Sequence, residues 1–221
     1  MNTSEARQFL LNNGLPEIAK KYNLNYRFDG RDLEQKETFA DMRIGSIIGL
    51  LLIYIILAWV FKSWTRPFSI MIMIPFAFIG AVLGHYLLGL TMSILSMFAL
   101  LALAGIVVNN SIILVSTIER RFDDLLSQND KDSQDDKVIN EAIIAGVVDR
   151  FRPVLLTSLT TIGGLSALLF EKSLQAQFLI PMAATIVFGL GITAFLVLVI
   201  VPSMMGISND FSNLVKNIRR R

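Results

Sequence analysis

Hydrophilic residues fill positions 1–43, and apolar runs dominate the rest of the chain: Ile44 to Phe61, Pro67 to Leu88, Met92 to Ile118, Pro153 to Phe170 and Phe178 to Ile207. Each run is nearly free of Asp, Glu, Lys and Arg, and a helix of about eighteen or more such residues crosses an apolar slab about 30 Å thick. The pattern predicts an all-α polytopic membrane protein with five transmembrane helices over 44–207 and a short N-terminal α/β extramembrane segment over 1–43. In that segment Ser4 to Lys21 reads as a helix with Ser4 as its N-cap, and Asn25 to Phe28 as a strand ending at Asp29-Gly30. So small a segment cannot build its own core. It has no charged start leading into an apolar stretch, so Met1 does not open a signal peptide.

Composition agrees with the pattern. Hydrophobic residues make up 53% of the 221 and charged residues 17%, against about 25% charged in soluble domains. That balance excludes a soluble enzyme and a disordered tail. A net charge of +2 implies no nucleic-acid partner, and the absence of cysteine rules out disulfides and thiolate metal sites. Lys and Arg crowd one set of span ends: Lys62 and Arg66, then Arg120, Arg121, Arg150 and Arg152, then Lys216, Arg219, Arg220 and Arg221. By the positive-inside rule this face is cytoplasmic. The N-terminal segment is then outside or periplasmic, the 119–152 loop cytoplasmic, and 208–221 a basic cytoplasmic tail. Within the loop, Ser127 to Lys137 has the polarity of a linker and Val138 to Val148 reads as a short amphipathic helix on the membrane surface. Pro153 suits the first turn of the span that follows.

Little within the spans carries chemistry. Gly105 to Ser111 reads G-I-V-V-N-N-S, which sets Asn109, Asn110 and Ser111 deep in an apolar helix. A carboxamide without a partner in hydrocarbon costs several kcal/mol, so these groups face other helices or a wet cavity. Two readings stay open, interhelical glue and a polar pathway. Thr157, Thr160, Thr161 and Gly164 recur at helical spacing, giving a small, hydroxylated stripe that serves close packing or a water file. Gly45 with Gly49, and Gly80 with Gly84, form G-x-x-x-G pairs, and Gly105, Gly163 and Gly164 are further packing candidates. His85 is the only histidine and reads as structural, so no metal site and no cofactor are expected. Hydrolase and nucleotide-binding motifs are absent, and no carboxylate lies inside the five spans, so the chain does not read as an enzyme.

Several separated segments resemble one family. L-A-G-I-V-V-N-N-S-I-I-L-V, D-R-F-R-P-V-L-L-T-S-L-T-T-I-G-G and S-L-Q-A-Q-F-L-I-P-M-A are similar to the last part of the resistance-nodulation-division efflux permeases of the hydrophobe/amphiphile (multidrug) type. Upstream, F-D-G-R-D-L-E-Q-K-E-T-F at 28–39, W-V-F-K-S-W-T-R-P-F-S-I at 59–70 and I-P-F-A-F-I-G at 74–80 continue the likeness in the right order. The resemblance implies a proton-driven bacterial inner-membrane pump, homotrimeric when complete, that works with a periplasmic adaptor and an outer-membrane channel. It makes this chain the final five spans, with 1–43 as the tail of a porter or docking domain and the N-terminal half of the permease as its missing partner. Carried onto this sequence, the family's proton relay falls on Asn109, Arg150 and Thr157, with Asn110, Ser111, Thr160 and Thr161 as polar support. Asn109 stands where drug-exporting members carry lysine, and a carboxamide cannot act as the cation. The expected function is a partial efflux permease subunit that needs the other half for activity. The alternative is a non-transporting remnant or a helix-packing assembly partner in the lipid bilayer.

Overall fold

The computed structural model describes residues 3–22, 31–128 and 136–219, with side chains over 8–22, 37–127 and 138–207. Among the described residues the regular structure is entirely helical: α1 (Thr3–Asn12), α2 (Leu15–Lys21), α3 (Arg31–Phe61), α4 (Thr65–Met71), α5 (Met73–Leu88), α6 (Ile94–Gln128), α7 (Asp136–Leu169), α8 (Leu174–Gln177) and α9 (Ile180–Arg219). The strand expected at Asn25 to Phe28 lies outside the described residues. The chain divides into two compact units, Met1–Gly49 and Leu50–Arg221.

In the first unit, the helix expected from Ser4 to Lys21 is two helices. Gly14 sits at φ 100°, a left-handed conformation that glycine adopts without steric cost, and it ends the first helix. Pro16 follows in the first turn of α2, where a missing N–H costs nothing. α1 begins at Thr3, one residue ahead of the cap expected at Ser4. Phe9, Leu10 and Ile18 are all exposed, and α2 buries none of its residues.

The second unit is organised around α9, which packs against α5, α6 and α7. Its core comprises Ile70 and Met73, then Leu103, Val107, Leu114 and Val115 from α6, and Leu190, Val197 and Val201 from α9. Small residues let the axes approach. A Cβ on Gly80 of α5 would stand 3.0 Å from both the Gly189 Cα and the Phe188 carbonyl oxygen of α9. One on Gly84 would run into the Phe188 ring, and one on Gly189 into Leu103. Lipid tails are as apolar as leucine, so close van der Waals packing of this kind, rather than hydrophobic exclusion, holds membrane helices together.

Four stretches are long and apolar enough to cross a membrane: Glu37–Phe61, Thr65–Leu88, Ile94–Ser127 and Ile180–Ile207. The fifth expected span, from Pro153, occupies the second half of α7 and is not among them. Its helix stops at Leu169, and Thr157, Ser158, Thr160, Thr161, Gly163 and Gly164 dilute its apolar residues. The second span is broken at Ile72 into α4 and α5. It closes at Gly89 (φ 64°), where the Leu90 N–H donates to the His85 carbonyl at 2.9 Å, a Schellman-type end.

The segment from 138 to 148 differs from the sequence expectation. It is not a separate surface helix but the opening turns of α7, which continues unbroken through Pro153. Val138, Ala142 and Gly146 are buried, and a Cβ on Gly146 would meet Ile118 of α6 at 3.0 Å from its Cα. Packing on α6 carries the helix across a position where proline removes one backbone hydrogen bond. Pro153 is therefore interior to a helix of 34 residues rather than at its start.

Candidate functional site

The residues expected to carry chemistry lie on α6 and α7. Asn109 is exposed and Asn110 half-buried, and neither side chain makes a hydrogen bond among the described residues. Ser111 is buried, and its hydroxyl donates to the Val107 carbonyl one turn back at 2.8 Å, so it is satisfied within its own helix. On α7, Thr157 donates to the carbonyls of Pro153 (2.9 Å) and Val154 (3.1 Å). Thr160 donates to Leu156 and Thr157 at 2.9 and 3.0 Å, and Thr161 to Thr157 at 2.9 Å. Their hydrogens are thus spent on their own helix, and what the stripe offers outward is acceptor lone pairs.

Arg150 does not simply reach for the headgroups. Its Nε–H donates to Thr117 Oγ1 of α6 at 2.6 Å, and the Thr117 hydroxyl donates on to the Ile113 carbonyl at 2.8 Å. The neighbouring Asp149 takes Arg121 by two contacts to one oxygen, 2.7 Å from Nε and 2.6 Å from Nη2. Adjacent residues of α7 thus grip Thr117 and Arg121, one turn apart on α6. Beside them lies a cleft of about 320 Å³ lined also by Arg120 and Asp124.

Register then fixes depth. Asn109 is eight residues up α6 from Thr117, and Thr157 seven residues along α7 from Arg150, so each stands about 10–12 Å from the Arg150–Thr117 link. Both helices lead away from that link. Gly105, Ile113, Thr157, Thr160, Gly163 and Gly164 are not covered by the unit, and a Cβ on any of these three glycines would meet nothing within 4 Å. Asn109 and Thr157 are both exposed and stand at similar depth, without a direct bond.

The glycines separate into two groups. Gly80 and Gly84 lie against α9, whereas Gly45 and Gly49, like the three on the open face, have free space where a side chain would stand. His85 is buried at 3% exposure, with Nδ1 donating to the Ala81 carbonyl and Nε2 facing Ser96 Oγ, both at 3.0 Å. It ties the end of α5 to the start of α6. Thr117 and Asp149 escape sequence reasoning, and Arg121 enters it only as one of the charges that orient the chain. The available signal was the four-residue spacing of positions 109, 113 and 117, which sets Thr117 on the Asn109 face.

Comparison with known proteins gives the family. Residues 10–207 match the model of the AcrB/AcrD/AcrF family. The swarming motility protein SwrC of Bacillus subtilis is 30% identical over 81% of this chain and 16% of its own length. The multidrug resistance protein MdtC of Proteus mirabilis is 29% identical over 76% of the chain and 15% of its own. The nickel and cobalt resistance protein CnrA of Cupriavidus metallidurans is 28% identical over 63% of the chain. Among solved structures, a heavy metal efflux pump superposes with a TM-score of 0.66 at 25% identity, covering 88% of this chain and 19% of the pump. The chain spans about one sixth of the length of these relatives. With its apolar helices and its match over nearly the whole sequence, the chain belongs to the AcrB/AcrD/AcrF family of resistance-nodulation-division permeases.

Proposed function

We propose that this chain is the C-terminal membrane section of a proton-driven efflux permease of the bacterial inner membrane, active together with an N-terminal half on the same or a separate polypeptide. α7 supplies the fifth span, the N-terminal segment is periplasmic and the C-terminus cytoplasmic. The complete permease is a homotrimer that works with a periplasmic adaptor and an outer-membrane channel. Asn109, Arg150 and Thr157 lie along the proton route, and Asn110, Ser111, Thr160 and Thr161 line or support it.

One observation carries this reading: the open face of α6 and α7. A carboxamide without a partner turned toward hydrocarbon would cost several kcal/mol, so protein or ordered water must cover Asn109, while the threonine hydroxyls, already bonded to their own helix, keep acceptor lone pairs for such a cover. None of the five apolar runs read from the sequence holds an Asp or Glu, so in this reading the group whose charge changes comes with the covering helices. Asn109 then contributes hydrogen bonding rather than a cation, and Arg150, held at the end of the route by Thr117, is the fixed positive charge nearest to it.

The test is proton-coupled efflux in inverted vesicles from cells that lack other pumps. Efflux is expected only when the chain is co-expressed with a permease half bearing intramembrane aspartates. Asn109→Leu combined with Thr157→Val should abolish most of that efflux and leave insertion and assembly intact. Unimpaired efflux by the double variant, or efflux by this chain alone, would overturn the reading.

A further inference from the structure

A second cleft, of about 260 Å³, opens between α4, α6, α7 and α9 at the same basic ends of the helices. Its floor is apolar, formed by Ile118, Ala142, Ile143 and Met205. Its rim holds an ion pair, Arg66 Nη1 to Glu119 Oε1 at 2.7 Å, with the side chains 42% and 25% exposed. The same Nη1 donates to the Phe61 carbonyl at 3.2 Å. The Nε–H and both Nη2 hydrogens of Arg66 are left unspent, and the buried Glu119 Oε1, although beside Nη1, makes no hydrogen bond. Ser63 Oγ and Thr65 Oγ1, 3.2 Å apart on the same rim, share one hydrogen between them and keep a further donor and free lone pairs.

The unspent groups define a ligand. Three guanidinium hydrogens and a hydroxyl call for an anion rich in acceptor oxygens, while a free carboxylate oxygen beside them calls for a cation with hydrogens to give. The two formal charges of the lining cancel, so the cleft suits a zwitterion better than a net anion. An apolar floor at the end of membrane-spanning helices adds the requirement of a hydrocarbon portion. We propose that this cleft binds the headgroup of an aminophospholipid of the phosphatidylethanolamine type, with phosphoryl oxygens on Arg66 and the Ser63–Thr65 hydroxyls, the ammonium on Glu119, and the glycerol and upper chain on the floor. A choline headgroup has no N–H to give Glu119, and a glycerol headgroup has no cation.

The full chain, reconstituted in nanodiscs of equal parts phosphatidylethanolamine, phosphatidylcholine and phosphatidylglycerol, is extracted in mild detergent, and the retained lipid is quantified by mass spectrometry. Phosphatidylethanolamine should be enriched about tenfold over the other two, the range given by one or two charge-assisted hydrogen bonds. Glu119→Gln and Arg66→Gln should abolish the enrichment. Ser63→Ala with Thr65→Val, which leaves the ion pair in place, should reduce it, and Lys62→Gln outside the cleft should leave it unchanged. Equal retention of the three lipids, preference for phosphatidylglycerol, or enrichment that survives both charge variants would overturn the proposal. Displacement of bound label by soluble phosphoethanolamine without lipid enrichment would also overturn it, by assigning the site to a free metabolite.

Discussion

Asn109 shows how much a single residue type reveals and where it stops. An amide in an apolar run announces a partner, and Asn109 does lie on an uncovered face. The amide does not say which neighbour it needs, because a hydrogen bond can be met by protein or water. Thr117 carries no such signal, since a hydroxyl near a span end is ordinary until the fold brings Arg150 within 2.6 Å of it. Glycine gives a sharper contrast, because its sequence context is the same in both roles. Gly80→Ala places a methyl 3.0 Å from backbone atoms of α9, which cannot move aside as a side chain can. It should destabilise the unit by about 1–3 kcal/mol in a thermal or denaturant titration in detergent. Gly105→Ala meets open space, so in the chain alone it should be neutral or stabilise by up to about 1 kcal/mol. Equal destabilisation by both would mean that the open face is covered within this chain.

At the scale of the element, length and apolarity located four of the five expected spans, with ends that differ by up to nine residues, because those properties are summed over a whole turn-by-turn pattern. The breaks and continuations were less legible. The break at Ile72 has a cause in the sequence, Pro75, whose missing N–H leaves the Met71 carbonyl without its helical partner, whereas the charged residues before Pro153 read as loop because local composition outweighs a distant neighbour. What extends α7 back to Asp136 is its contact with α6, through Gly146 against Ile118 and Asp149 against Arg121. Hydrogen exchange tests this. Amides of 139–148 should be protected to nearly the degree of the α6 core, and not exchange like an isolated surface helix. Asp149→Ala should loosen this end only slightly, because an ion pair with side chains 45% and 37% exposed contributes at most about 1 kcal/mol.

For the whole molecule, the topology rests on the distribution of Lys and Arg, a property of the sequence that the fold of one unit leaves untouched. The chain has no native cysteine, so single substitutions report cleanly. Ser127→Cys and Ser208→Cys should both react with a membrane-impermeant maleimide only after the cell membrane is opened. Labelling of either in intact spheroplasts would reverse the orientation. The architecture was legible as a membrane bundle because its apolar surface is so extensive, whereas the open face became legible only when the fold left Gly105, Asn109, Thr157 and Gly164 on uncovered surface.

That uncovered surface also bears on how long a copy of the chain survives in the cell. If the chain acts with a separate N-terminal half, as proposed, Asn109 and the threonine row are turned to lipid before the two meet, and such a bundle is held less firmly than one whose polar groups are matched. Marginal folds are drawn off continuously by proteases, so a modest loss of stability becomes a several-fold loss of abundance. In a pulse-chase experiment the chain made alone should decay several-fold faster than the chain made with an N-terminal half. On the proposed function, Asn109→Leu should lengthen the life of the chain made alone while weakening the assembled pump, so that the one carboxamide would set stoichiometry through turnover.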